Sequence, residues 1–164
     1  MIGRISVVVL AVAACSSRKS SSNETARSPD SSFAQLQQRG KTVMGVDQYT
    51  SEHVFEPLPN GGRIVLQRKE ADSAGEAVIR EHMRNIARAF AAGDFRLPGA
   101  VHAMKDVPGT EQMRALRDDI TYTPQNLPRG GEVIIATSNP AAIAAIHDFL
   151  AFQRTDHRAA MHME

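Results

Sequence analysis

The chain has 164 residues, with 19 Lys and Arg against 18 Asp and Glu and a formal net charge of +1, so no sequence-wide field exists for gripping nucleic acid. A single cysteine rules out a disulfide framework. Once a leader and tether are set aside, about 120 residues remain, a length at which one domain can bury most of its apolar surface without cross-links.

The leader comes first in chain order. Arg4 precedes a mainly apolar segment, Ile5 to Ala14, that ends in Val12-Ala13-Ala14-Cys15 and switches at once into Ser16-Ser17-Arg18-Lys19. The segment falls well short of the roughly 20 residues that cross a bilayer. Small Ala13 and Ala14 suit a signal peptidase, and the Cys15 thiol can then carry lipid. The pattern resembles the lipobox of bacterial lipoproteins. That resemblance implies cleavage before Cys15, acylation of its thiol and its new amino terminus with chains such as palmitate, and a lasting membrane tether to the cell envelope. Ser16, rather than Asp, after the cysteine resembles outer-membrane sorting, which would face the protein to the periplasm in a Gram-negative cell.

Residues 1–14 are therefore expected to be signal peptide, and 15–32 the lipidated cysteine and a disordered tether. From Ser16 to Ser32 the residues are Ser, Arg, Asn, Asp, Glu and Pro with almost no large apolar side chain. With Cys15 lipidated, no thiol is left to ligate a metal or attack a substrate.

The folded region, expected over 33–158 with a flexible tail at 159–164, reads as one unit written twice. Leu58-Pro59-Asn60-Gly61-Gly62-Arg63-Ile64-Val65-Leu66 leads into a helical pattern from about Asp72 to Ala92. Leu127-Pro128-Arg129-Gly130-Gly131-Glu132-Val133-Ile134-Ile135 leads into another from about Pro140 to Arg158. A β-prone segment precedes each turn, Gln48 to Glu56 and Ile120 to Thr123, and each Gly-Gly pair is expected to supply the positive φ of a tight reversal. Ile79, Met83, Ile86 and Phe90 form the first helix's inward stripe, Ile143, Ile146, His147 and Leu150 the second's. The expected fold is α+β: two ββα units forming a four-stranded antiparallel sheet with two helices on one face. Arg96 to Gly109 reads as a long irregular connection.

Histidine and methionine adjoin repeatedly, at His82-Met83, His102-Ala103-Met104 and Met161-His162-Met163. In a thiol-free protein outside the cytoplasm, imidazole with thioether suits a transition metal, copper first, the thioether favouring Cu(I). The expected metal set is His82, His102 and His147 with Met83 and Met104. His147 and His157 lie about 15 Å apart along one helix and cannot share an ion. The competing reading is a non-catalytic ligand- or protein-binding envelope module without metal, in which Met83 is core filler and each histidine bonds a neighbour.

Enzymatic readings have less support. G-x-S-x-G, H-E-x-x-H, the P-loop and G-x-G-x-x-G are all missing from the sequence. Arg80, Arg84 and Arg88 recur every four positions, a row that could hold an anion but reads first as a solvated helix face paired with Glu76 and Glu81. The segments Gly61 to Gln67, Ile79-Arg80-Glu81-His82-Met83, Val101-His102 and Ala145-Ile146-His147-Asp148-Phe149 together look like those of small, poorly characterised secreted bacterial proteins. This likeness implies a compact α+β domain and brings no activity with it.

Overall fold

Two hairpins with two-residue turns, each followed by a helix, set the architecture of the computed structural model, which describes residues 29–47 and 49–159. The leader, Cys15, most of the tether and Met161-His162-Met163 lie outside those residues. Helix α1 spans Pro29–Met44, strands β1 and β2 Ser51–Leu58 and Gly61–Arg68, and helix α2 Ser73–Ala91. Helices α3 (Arg96–His102) and α4 (Thr110–Ala115) follow, then a 3-10 turn at Arg117–Asp119, strands β3 (Thr121–Leu127) and β4 (Gly130–Ala136), and helix α5 (Pro140–Asp156). Among the described residues no helix is long and apolar enough to cross a membrane.

The sheet is four-stranded and antiparallel, in the order β1-β2-β4-β3. The two hairpins join through their second strands, with Ile64 opposite Val133 and Gly62 opposite Ile135. Pro57 and Pro124 both fall on outer strands, where a missing N–H costs no ladder bond. Each helix crosses over: α2 follows β2 but packs mainly on β4 and β3, while α5 follows β4 and packs on β1 and β2. Both bury their stripes in one core with Phe55, Ile64, Leu66, Val133 and Ile135. The expected α+β fold with two ββα units is what forms.

The Gly-Gly pairs do a different job from the one their composition suggests. In the first hairpin Gly61 takes φ +140°, but in the second the positive φ belongs to Arg129, at 61°. What both pairs provide is close approach. A Cβ on Gly61 would stand 2.1 Å from the Ile135 carbonyl oxygen, and one on Gly130 2.1 Å from that of Leu66. A Cβ on Gly62 would meet Leu150 of α5 at 2.2 Å, and one on Gly131 would meet Met83 of α2 at 3.3 Å. The glycines thus let the central strands pair and let both helices lie close on the sheet.

Several local expectations shift. Residues 29–32, assigned above to the tether, already belong to α1, whose buried positions Leu36, Gln37 and Gly40 make its inner face. Arg96 to Gly109 is not irregular throughout, since α3 occupies half of it. The inward stripe of α5 runs through Ala142, Ala145, Ile146, Phe149, Leu150 and Gln153, leaving Ile143 and His147 half-buried at its margin. The caps agree with the sequence: Asp72 accepts from the Gly75 N–H, and Asn139 accepts from Ala141 and Ala142 ahead of Pro140.

Gly130→Ala should lower unfolding free energy by at least about 2 kcal/mol, because the new methyl meets fixed backbone rather than a movable side chain. Urea denaturation checks this against Lys105→Ala on the exposed surface, expected within about 0.5 kcal/mol of the parent.

Candidate functional site

Four of the histidines line one pocket between the sheet, α2, α3 and α5: His53, His82, His102 and His157. They reach it from four separate elements. His53 alternates with Phe55 on the core face of β1, and the paired residues Leu66 and Ile64 of β2 share that face. His82 follows Ile79 by three positions on the buried face of α2. His102 ends α3, and His157 caps α5, eleven positions after the fully buried Ile146 on the same stripe.

The rings are in mutual contact. The His53 and His157 centroids lie 5.2 Å apart, those of His102 and His157 5.0 Å apart, and Phe55 stands 5.4 Å from His157. Met44, Met83, Ile86, Phe90 and Val101 complete much of the wall. The pocket has a volume of about 40 Å³. Among the described residues, no carboxylate lines it.

Burial strips the imidazoles of charge. Desolvation pushes His82 down to about 4 and His157 down to about 3; for His157 the neighbouring His53 and His102 add to the effect and Asp156 opposes it. His53, half-buried, is also held well below its ordinary value, by desolvation first and then by His82. At neutral pH these three present lone pairs rather than positive charge. His53 and His82 make no hydrogen bond among the described residues, and their ring nitrogens are not among the fully buried polar atoms that lack a partner, so water reaches them.

His102 is built differently. Its Nδ1 donates to Asp156 Oδ2 at 2.5 Å, and its Nε2 lies 2.9 Å from Gln153 Oε1, so both ring nitrogens are engaged. It joins α3 to α5 and packs edge-on against Phe152. The Gln153 side chain lines the same pocket, and its Nε2 has no partner among the described residues.

The expected set His82, His102 and His147 with Met83 and Met104 is only partly brought together. His82, Met83 and His102 meet at the pocket. His147 does not: its Nε2–H is shared between the carbonyl oxygens of Leu58 and Gly61, each 3.0 Å away, which ties α5 to the first hairpin. Met104 is 40 % exposed just beyond the left-handed Ala103 and lies outside the pocket wall. Sequence reasoning passed over His53 and set His157 aside. The signals were present, a period of two with Phe55 for the first and continuation of the α5 stripe for the second. Among the described residues no three His, Cys, Asp or Glu side chains stand as a closed ligand set.

The arginine row is structural at its first member and paired at the others. Arg80 donates to the Leu127 and Gly130 carbonyls at 3.1 Å each and to Glu76 at 3.2 Å, tying α2 to the second hairpin. Arg84 and Arg88 pair with Glu81. No protein-family model, curated protein or solved structure matches this chain.

Stability should fall as pH drops from 7.5 to 5. The unfolded chain takes up protons near pH 6.5, whereas folded His82 and His157 stay neutral until about 4 and 3, so the unfolded state binds more protons across that interval. Each such histidine contributes a slope of up to about 1.4 kcal/mol per pH unit. Urea unfolding at the two pH values measures the loss, and His157→Phe should shrink it.

Proposed function

We propose that this chain is a lipid-anchored cell-envelope protein that binds a transition metal, copper first, at the pocket lined by His53, His82 and His157. The reading is supported above all by the convergence of three neutral imidazoles from β1, α2 and α5 on a small space that Met44 and Met83 also line. Neutral imidazole and thioether are the forms that donate to a metal without first losing a proton. His102, held by Asp156 and Gln153, orients the wall beside the ligands and does not itself donate. Two imidazoles with one thioether suffice for a low-coordinate ion, so a closed trio of imidazoles is unnecessary.

The non-metal alternative belongs to a different surface, the open cleft of about 590 Å³ between Asp106 to Gly109 and α5, because the about 40 Å³ of the histidine pocket is far below the roughly 300 Å³ at which sites for drug-sized ligands begin. Attachment to the envelope rests on the Val12-Ala13-Ala14-Cys15 pattern.

Titration of the full chain with copper should give one ion per chain and stabilise it by about 2.7 kcal/mol when free metal stands at about 100 times its dissociation constant. His53→Phe with His157→Phe should abolish the stoichiometric site, and His147→Ala should keep it while weakening the fold. Stoichiometric binding that persists in the double variant would overturn the assignment.

A further inference from the structure

We propose that the cleft between α1, α3 and α5 binds a phosphate group, as the free ion or a soluble monoester, through the guanidinium groups of Arg39 and Arg158. The cleft shares only His102 with the histidine pocket and has a volume of about 390 Å³, within the range of small-molecule sites.

Arg39 carries the argument. It is half-buried on α1, and its Nε–H donates to the Val101 carbonyl oxygen in the last turn of α3 at 2.6 Å. That bond places the guanidinium at the seam of α1 and α3, beside His102 and Ala103, with which it lines the cleft. A guanidinium has five N–H donors and the carbonyl takes one. Among the described residues Arg39 has no carboxylate partner. A cation drawn partly out of water without a counter-charge is costly, and the planar pair of Nη groups that remains matches two oxygens of a phosphate.

Arg158 adds a second cation to the same wall. Its guanidinium carbon lies 4.3 Å from the centroid of Phe33, and the ring holds the charge at the edge of the cleft. Asp156 is the only carboxylate that lines the cleft among the described residues, and its Oδ2 is engaged by His102 Nδ1 at 2.5 Å. Two guanidinium groups against one engaged carboxylate give the cleft a positive balance, which favours a doubly charged phosphate over a singly charged carboxylate.

Calorimetric titration of the full chain at low ionic strength, with inorganic phosphate in one arm and glycerol phosphate in the other, tests the site. Saturable binding of one anion per chain is expected, weakened at least about 10-fold by Arg39→Gln and less by Arg39→Lys, which keeps the charge and loses the fork. Because Arg39 also fastens α1 to α3, exposed Arg158→Gln is the second variant, expected to weaken binding at least about 3-fold with the melting temperature unchanged. Arg84→Gln, on α2 away from the cleft, should bind as the parent does. Tighter binding of glycerol phosphate than of inorganic phosphate would uphold the site and assign it to an ester, and the reverse would uphold it and assign it to the free ion. No saturable binding of either anion, or binding that both Arg39→Gln and Arg158→Gln leave intact, would overturn the proposal.

Discussion

The antiparallel pairing of β2 with β4 is the constraint on which the rest of the structure depends. It requires that the backbones approach without a Cβ at Gly61 or Gly130, since either methyl would be driven into a carbonyl oxygen of the neighbouring strand. Once those strands meet, the sheet order β1-β2-β4-β3 follows, and each helix must return across the opposite hairpin to bury its stripe. Gly62 and Gly131 then set how near α5 and α2 can lie. The space left between the helices and the sheet is the histidine pocket.

That space carries an electrostatic cost that the fold tolerates. Three imidazoles are held neutral by removal from water, and two of them lack a hydrogen bond among the described residues. The ring nitrogens of His53 and His82 stay within reach of water, so these residues put polar atoms on an otherwise mainly apolar wall, the composition of a binding pocket. His147 shows the contrast: it is half-buried too, yet both available carbonyls of the hairpin satisfy it.

Helix α1 is the first element among the described residues. It runs from Pro29 directly into the wall of the pocket through Met44, and Arg39 fastens it to α3 by a bond to the Val101 carbonyl at 2.6 Å. Its inner face buries Leu36, Gln37 and Gly40, and it packs chiefly on α3.

Much of the architecture was legible in the sequence, because hairpins with Pro-x-Gly-Gly turns, capped helices and a period of 3.6 are local signals whose physics is complete within a dozen residues. The two ββα units and the caps Asp72 and Asn139 belong to this class. The site was legible in part: His82 and Met83 could be placed on an inward stripe, but whether His102 or His147 joined them depended on where α3 ended and which face of α5 turned to the sheet. Only the tertiary structure decided those points. It assigned His147 to the hairpin carbonyls, locked His102 between Asp156 and Gln153, and brought in His53 from a strand nearly thirty residues before His82. A side chain's helical phase is fixed by its neighbours in sequence, but its partners across the core are fixed by how closely glycine lets the elements approach.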